Sequence, residues 1–387
     1  MKDLKTKKTR GRTTQFLSHL VSVSLMILVS GCIAIDMNNP ANLDGNSNTS
    51  QSGSKTILYI SYQTFVDGLI GKFELNKTDG TLTEIGTKIA TSENQPSEMS
   101  VLNNEYLYVG HYGANNIDFF TIGSDGDLTF QESDAIGATF IDSAIDPSGS
   151  YFYATVNGAN LTRFDIDSSG SLINRADIAL TAAQGISYGI GFSNDQSNLI
   201  VSLGSMFASG IDVYRFNGDG SLDNKHNDAY SGFVNANNLA VHPSLDVFYV
   251  SAVSANAVYQ HSITTGSTPS TAELANYATD TAPEELLVTP NGACLYTVNN
   301  SGQSISQFSV NPSTGNLTAL STRDEDLASV SPRDLAMTPD GEILIVGYQG
   351  TALEIFQING DCTLTHLNTA DVEETGYSIS DVVVIEM

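Results

Sequence analysis

The fold of this chain is indicated by the stretch Thr338-Pro339-Asp340-Gly341-Glu342-Ile343-Leu344-Ile345-Val346. A turn of Pro, Asp and Gly leads there into a short apolar run, which is the pattern of a tight turn followed by a buried β-strand. Most copies follow a similar turn, such as Asp146-Pro147-Ser148-Gly149. The strand occurs seven times along the chain, as Ile57–Ile60, Tyr106–Val109, Tyr151–Ala154, Leu199–Ser202, Val247–Val250, Cys294–Thr297 and Ile343–Val346.

The spacing of these strands identifies the repeat. Equivalent positions lie roughly 45–49 residues apart, a length typical of a four-stranded propeller blade. A second turn, such as Asp167-Ser168-Ser169-Gly170, recurs in most repeats and precedes a short strand. We therefore predict an all-β fold over residues 56–387, a seven-bladed β-propeller with four strands per blade.

The two ends of the repeat region complement each other. The first copy begins at its second strand, whereas the chain ends with the apolar run Ile379–Ile385 and nothing after it that could form a blade. We expect this C-terminal strand to pair with the first blade, because closure of the ring removes the free strand edges.

The N-terminal segment has the order of an export signal. Residues 1–31 contain a basic start, an apolar stretch from Phe16 to Val29 and then small residues. Val29-Ser30-Gly31-Cys32 resembles the bacterial lipobox, which implies lipidation of Cys32 and stable attachment to a membrane. Residues 32–55 are then a lipidated cysteine and a flexible polar tether. Because Ile33 follows the cysteine, the resemblance favours the outer membrane, with the leaflet left open.

Charge excludes one class of partner. The chain carries 43 acidic and 16 basic residues, a formal net charge of −27. Six of the basic residues lie in the first 12 positions, so the rest of the chain is strongly acidic. Such a surface repels phosphate backbones, and nucleic acid is not expected as a partner. Solubility in a salty or extracellular medium and a specific role in cation binding both remain open as reasons for the charge.

One blade resembles a known family. Ser331–Gln349 is similar to the blade signature of the seven-bladed lactonase family, which includes propeller-type 6-phosphogluconolactonases and fungal carboxymuconate cyclases. The segment Leu107–Asn115 also resembles the YVTN repeats of microbial surface propellers. The resemblance extends over residues 56–387 and implies a propeller that opens cyclic esters.

The chain departs from the lactonase pattern at two places. Asn237-Asn238 stands where the pattern has Arg-His, and apolar Val253 lies near the position of its glutamate. Arg333 matches the pattern, which implies that it holds a carboxylate or polarises a carbonyl; a pair with Asp334 is the alternative. His242 matches a His-Pro turn of the family, where it either caps the turn or binds ligand.

The remaining candidates lie where inner strands begin or second strands end. In a propeller both places surround the mouth of the central channel, where ligands bind. We take His111 and Arg333 as the candidate catalytic residues, with His111 as a base that activates water; a solvated loop histidine is the alternative. The candidate ligand-binding residues are Glu98, Asn115, His242, Glu284, Asn299, Gln349 and Asp381.

Other chemistries lack support in the sequence. No GxSxG, HExxH or P-loop motif occurs. The turn that begins at Asp165 resembles a calcium loop but has Ala176 where a bidentate glutamate is needed, so we predict a hairpin turn with Gly170 in the left-handed region. No cofactor and no metal is expected, although Ca²⁺ at the acidic mouth is left open. Cys294 and Cys362 fall on neighbouring blades, and a disulfide between them is left open.

Two functions of different classes remain. The first is an envelope-anchored, lactonase-like hydrolase of a cyclic ester such as a sugar lactone. The second is a non-catalytic propeller at the cell envelope that binds a small molecule or another envelope protein. In both cases we expect a monomer that contacts the membrane through its lipid.

Overall fold

The computed structural model describes residues 54–387, apart from 159, 181–185, 205–208, 231–234, 322, 325–330, 349, 351, 373 and 375. The expected signal peptide, Cys32 and the tether as far as residue 53 lie outside the described residues. Among the described residues, no helix is long and apolar enough to cross a bilayer.

The strands form seven antiparallel sheets in a ring, so the predicted seven-bladed propeller is confirmed. Each sheet is one blade, and in five of the seven all strands pair in the order of the chain. Blades 1 to 4 contain β1 Thr56–Gln63, β2 Gly68–Asn76, β3 Thr81–Glu84, β4 Ile89–Ala90; β5 Pro96–Leu102, β6 Tyr106–His111, β7 Asn116–Ile122, β8 Leu128–Ala135; β9 Phe140–Ile145, β10 Tyr151–Val156, β11 Asn160–Ile166, β12 Leu172–Ala179; β13 Ile186–Phe192, β14 Asn198–Gly204, β15 Gly210–Phe216 and β16 Leu222–Ala229.

The remaining strands complete the ring. A 3₁₀ turn, Val253–Ala255, lies in blade 5. Blades 5 to 7 and the closing strand contain β17 Ala236–Val241, β18 Val247–Ala252, β19 Ala257–Thr264, β20 Ser270–Ala278; β21 Pro283–Val288, β22 Cys294–Asn299, β23 Ser304–Val310, β24 Leu317–Ala319, β25 Arg323–Asp324; β26 Pro332–Met337, β27 Ile343–Tyr348, β28 Ala352–Ile358, β29 Leu364–Asp371; and β30 Ser378–Glu386.

The last strand closes the ring as expected from the sequence. β30 pairs antiparallel with β1 from Thr56↔Glu386 to Gln63↔Ser378, and thereby becomes the inner strand of blade 1. The inner strands contact one another in the cyclic order β30, β5, β9, β13, β17, β21, β26 and back to β30. They therefore surround a central channel.

The hydrophobic core is divided among the seven junctions between blades. Seven clusters of buried apolar side chains each combine residues from two neighbouring blades. The second strands supply the largest share of these residues because they are buried on both faces, which explains their continuous apolar sequence. Burial between blades, rather than within one blade, makes the ring the unit of stability.

Hydrogen bonds to turn carbonyls join each blade to the next. In five blades a tyrosine of the second strand donates to a carbonyl in the outer hairpin of the following blade, at 2.6–3.0 Å. At the other two junctions Asn198 and Asn368 donate to the corresponding carbonyls, of Gly266 and Gly80. The donors are Tyr59, Tyr108, Tyr153, Tyr249, Tyr296, Asn198 and Asn368.

Two local predictions are decided by the structure. Gly170 has a φ of 87° in a hairpin turn, and the side chain of Asp167 accepts from the backbone nitrogens of Ser169 and Ser171, so the predicted turn is confirmed. Cys294 and Cys362 form a disulfide between blades 6 and 7, with their Cα atoms 5.5 Å apart. Their strands approach closely enough because Cys362 lies in the hairpin that packs against the second strand of the preceding blade.

Candidate active site at the channel mouth

The site begins with an irregularity that the inner strands share. The pairing register of each inner strand with the second strand shifts by one residue near the inner strand's start. Such a β-bulge re-aims side chains locally. The residue after the bulge is acidic in five blades; the seven equivalent residues are Glu98, Asp142, Gly189, Asn238, Glu285, Asp334 and Asp381.

We call Glu98, Asp142, Glu285, Asp334 and Asp381 the acidic ring. Glu98 interacts electrostatically with the other four, although each belongs to a different blade. Carboxyls from five inner strands therefore converge around the channel axis. Three of them also reach the next blade: Asp142 accepts from the backbone nitrogen of Ile190 at 3.1 Å, Asp381 accepts from that of Met99 at 2.7 Å, and Asp334 accepts from that of Val382.

Burial and mutual repulsion raise the pKa values of the acidic ring. Desolvation raises the pKa of Asp142 and of Asp381 to about 7. Burial, followed by the charge of Asp381, raises the pKa of Glu98 and of Asp334 well above the usual range, and burial does the same for Glu285. The ring therefore holds protons at neutral pH.

A cavity of about 350 Å³ borders the acidic ring at Asp334 and lies within the size range of small-molecule sites. Arg333 is exposed in it and is the one cation among the described residues that line it. Asp334 forms part of the wall beside Arg333. The other lining residues come from blades 1, 2 and 7 and are mostly polar: Gln63, Thr64, Phe65, Gln95, Gly347, Tyr348, Gly376, Ser378, Ile379 and Ser380.

The structure brings four of the predicted site residues towards the mouth. Arg333 lines the cavity, and Glu98 and Asp381 belong to the acidic ring. Glu284 lies near Arg333: burial raises the pKa of Glu284, and the positive charge of Arg333 partly opposes that shift. Within the described part of the chain Arg333 forms no ion pair, and no salt bridge joins it to Asp334. Its guanidinium is therefore available to a ligand.

His111 is not placed as the sequence suggested. It is the last residue of β6 rather than a loop residue, and it is fully buried. Its Nδ1 lies 3.0 Å from the carbonyl oxygen of Asn94, and its Nε2 lies 3.2 Å from Oδ2 of buried Asp118. The expectation of a histidine open to water at the mouth is wrong, because the strand extends as far as His111 and its imidazole is buried. This geometry gives no support to His111 as a base.

His242 and Asn299 are also engaged inside the protein. His242 is 2% exposed; its Nδ1 accepts from the backbone nitrogens of Ser244 and Leu245, and its Nε2 lies 3.2 Å from the carbonyl oxygen of Gly292. Of the two roles left open for His242, the geometry fits the turn cap, and burial lowers its pKa. Asn299 is fully buried and donates to Ser304 and Ser306. Neither side chain faces the cavity.

Asn115 and Gln349 are the last two candidates from the sequence, and neither is among the described residues that line the cavity. Asn115 is exposed in a turn with a φ of 59°, and its carbonyl oxygen accepts from the backbone nitrogen of Ile136. Gln349 lies outside the described residues. Among the described residues no group of three or more His, Cys, Asp or Glu side chains is arranged to hold a metal ion.

Sequence reasoning missed most of the acidic ring. Asp142 and Glu285 were not recognised as site residues, and Asp334 was considered only as a partner for Arg333. A signal was present, because three inner strands begin with Pro, one further residue and then an acid, as in Pro332-Arg333-Asp334. Aligning all seven inner strands at this position would have located the ring. Without the bulge, however, the acid and its predecessor cannot be told apart by alternation.

Comparison with known proteins agrees with this architecture. The model of the lactonase family, described as a seven-bladed β-propeller, matches residues 38–185 and 210–377. The chain belongs to this family. A search of curated protein sequences gave no match.

Solved structures similar to this lactonase-family chain share its fold at low identity. The Pseudomonas aeruginosa periplasmic gluconolactonase has 16% identity and a TM-score of 0.74, over 86% of this chain and 99% of that one. A candidate 6-phosphogluconolactonase from Bacteroides fragilis has 17% identity and a TM-score of 0.73, over 87% and 99%. A Lactobacillus plantarum protein has 18% identity and a TM-score of 0.72, over 86% and 99%. At this identity the likeness concerns the fold.

Proposed function

We propose that this protein hydrolyses an uncharged cyclic ester of the sugar-lactone type in the cavity at the channel mouth. The observation that carries the proposal is the open guanidinium of Arg333 in a polar cavity whose wall includes a proton-holding carboxyl, Asp334. Membership of the lactonase family supports the class of reaction. We further propose that the protein acts at the cell envelope, anchored to the outer membrane through Cys32.

Arg333 supplies the electrophilic part of the chemistry. Attack of water on a lactone places negative charge on the carbonyl oxygen, and a guanidinium that already faces the cavity stabilises that charge without reorganising. Polar groups of the wall, including Gln63, Gln95 and Ser380, can hydrogen-bond to hydroxyls of a sugar ring.

The charge around the cavity favours an uncharged substrate. Arg333 is flanked by Glu284, and the acidic ring lies at the floor. A phosphorylated lactone carries about two negative charges, for which the described lining offers a single cation. Repulsion by the carboxyls would then offset the attraction of Arg333. Of the compounds named for the similar structures, the gluconolactone therefore fits better than its 6-phosphate.

A panel of lactones tests the proposal. D-glucono-1,5-lactone, its 6-phosphate and an acyl-homoserine lactone are offered to wild type, Arg333→Gln and Arg175→Gln, with spontaneous hydrolysis subtracted. Arg175 is the matched control because it is a partly exposed arginine of the outer strand β12, paired with Asp177. We expect wild type and Arg175→Gln to hydrolyse the neutral sugar lactone fastest and Arg333→Gln to lose about 10²–10³-fold in rate. Equal rates for Arg333→Gln and wild type would refute the assignment.

A second candidate function rests on Asn238. At the place where the lactonase pattern has its histidine, Asn238 donates from Nδ2 to Glu285 at 2.6 Å and so belongs to the polar floor of the channel. This arrangement suits hydrogen bonding to a ligand and supplies no proton-transfer group at that place. If wild type binds the neutral lactone's ring-opened acid or a sugar by calorimetry and hydrolyses no lactone, the protein is a binding propeller.

A further inference from the structure

Two members of the acidic ring lie side by side beneath the cavity. Asp334 and Asp381 occupy the same position after the bulge in β26 and β30, which are neighbouring inner strands. Asp334 lines the cavity, whereas Asp381 is 3% exposed. Asp334 can therefore contact a substrate bound in the cavity, whereas Asp381 is not among the residues that line it.

One carboxylate oxygen of this pair has no hydrogen-bond donor. Asp381 accepts from the backbone nitrogen of Met99 on one side, and Asp334 accepts from those of Leu335 and Val382. The two carboxyls also act on each other directly: a side-chain hydrogen bond between them raises the pKa of Asp334 and lowers that of Asp381. Oδ2 of Asp334 is buried and has no donor. Two carboxylates that interact in this way cannot both be ionised at low cost, and a proton between them supplies the missing donor.

We infer that Asp334 and Asp381 share one proton, and that Asp334 uses this pair to transfer protons during lactone opening, with Asp381 as the residue that positions and holds the proton. The inference rests on the proposed function and adds the group that activates water. It assigns Asp334 as a catalytic residue and Asp381 as a positioning residue.

The proton transfers balance within one turnover. Ionised Asp334 accepts a proton from water as the water oxygen bonds to the lactone carbonyl carbon, and Arg333 stabilises the resulting oxyanion. The bond from that carbon to the ring oxygen then breaks, and Asp334 returns the proton to the departing ring oxygen. The product is a single hydroxy acid. The pair holds the same number of protons at the end of the turnover as at its start.

The surroundings keep this pair protonated up to neutral pH. The charged and titratable groups that face it are Glu98 from β5, Asp142 from β9, Glu285 from β21, and Arg333 beside the cavity. Burial raises the pKa of Asp381 to about 7, and burial together with the charge of Asp381 raises that of Asp334 further. The pair resembles in principle the two-carboxylate arrangement that shares one proton in aspartic proteases.

The pH dependence of hydrolysis separates this role from a structural one. We expect the wild-type kcat/KM for D-glucono-1,5-lactone to rise with pH through an acid limb well above the ordinary range of an aspartate, because burial and the charge of Asp381 raise the pKa of Asp334. In Asp381→Asn the neighbouring charge is gone, so Asp334 ionises more readily and the acid limb moves down by one pH unit or more. Asp334→Asn should lose about 10²–10⁴-fold in kcat.

Asp142→Asn is the matched control. Asp142 has the same ring position and the same raised pKa, but its carboxyl bonds to the backbone of Ser143 and Ile190. We expect its acid limb to move clearly less than that of Asp381→Asn, because Asp142 repels Asp381 electrostatically but its carboxyl bonds to backbone nitrogens and not to Asp334. An unmoved limb in Asp381→Asn, or an equal shift in Asp142→Asn, overturns the shared-proton assignment, and full activity in Asp334→Asn overturns the catalytic one.

A spectroscopic readout keeps the inference separate from the proposed function. With aspartate labelled at its side-chain carboxyl carbon, the infrared band of the protonated carboxyl is recorded at pH 6 for wild type, each single Asn variant and the control. If the two residues share a proton, Asp334→Asn and Asp381→Asn should each lose the part of this carboxyl band that titrates near pH 7 in wild type. If wild type hydrolyses no lactone but shows this band, the proposed function is refuted and the shared proton is supported. If wild type hydrolyses the lactone but lacks the band, only the shared proton is refuted.

Discussion

Tyr108 illustrates how one side chain connects two blades. It is 1% exposed, packs on Phe119 and Phe152, and donates from its hydroxyl to the carbonyl oxygen of Gly170 at 2.7 Å. The equivalent tyrosines of four other second strands do the same. Each such bond satisfies a buried carbonyl in a turn that the strand ladder cannot reach. The recurrent tyrosine in the sequence therefore has a structural role beyond strand propensity.

Replacing that tyrosine should weaken one junction between blades. Tyr108→Phe keeps the ring contacts but leaves the Gly170 carbonyl without its donor, so we expect a loss of about 1–2 kcal/mol in the free energy of unfolding. Urea unfolding followed by far-UV circular dichroism measures it. Tyr112→Phe is the control, since Tyr112 is 50% exposed, and should change stability by less than about 0.5 kcal/mol. Equal stability of Tyr108→Phe and wild type would contradict this role.

At the scale of elements, β30 connects the end of the described chain to its beginning. It pairs with β1 along its whole length and supplies the inner strand of blade 1, so the first and the last strand of the ring lie in one sheet. It also carries Asp381 into the acidic ring. Closure and site thus depend on the same strand.

Removal of this strand should open the ring. We expect deletion of Ser380–Met387 to expose the edges of β1 and β26 and to destroy cooperative thermal unfolding, because the apolar cluster shared by blades 1 and 7 loses one wall. Calorimetry with the substitution Val384→Thr as a mild control measures the effect. A truncated chain that melts cooperatively at the wild-type temperature contradicts the importance of closure.

The elements also show what could be predicted from sequence. The second strands were found because their apolar pattern is local and repeats, and the closing strand was found because the first repeat lacked one. The site was predicted less well: Arg333 reaches the cavity, but His111 is the final residue of a longer strand and is buried. Glu284 was named and Glu285 was missed, because the bulge that separates them depends on pairing with β22, which a single strand's sequence does not reveal.

At the scale of the whole molecule, seven strands bring five carboxyls to one axis, and this arrangement opposes stability. The folded-state pKa values of these groups lie above their ordinary values. For Asp142 and Asp381 the favourable, protonated state is therefore fully present below about pH 4 and is lost as the pH rises through about 7. A cost of this kind is typical of groups retained for function.

Neutralising one member of the ring outside the cavity should therefore stabilise the protein at high pH. We expect Asp142→Asn to gain more than about 1 kcal/mol in unfolding free energy, relative to wild type, between pH 5 and pH 8, because the variant no longer buries that charge. Asp219→Asn, in an exposed hairpin turn, is the control and should show no such gain. Urea titrations at the two pH values decide it, and a pH-independent difference would contradict the repulsive ring.

The central claim is that the open guanidinium of Arg333 at the channel mouth promotes hydrolysis of a neutral lactone. Its most direct test is chemical rescue: the initial rate of D-glucono-1,5-lactone hydrolysis by Arg333→Ala, measured with and without added guanidinium ion. The account predicts a rate at least about 10²-fold below wild type that guanidinium partly restores, while the same ion leaves wild type and Arg175→Ala unchanged. A wild-type rate in Arg333→Ala without guanidinium would contradict it.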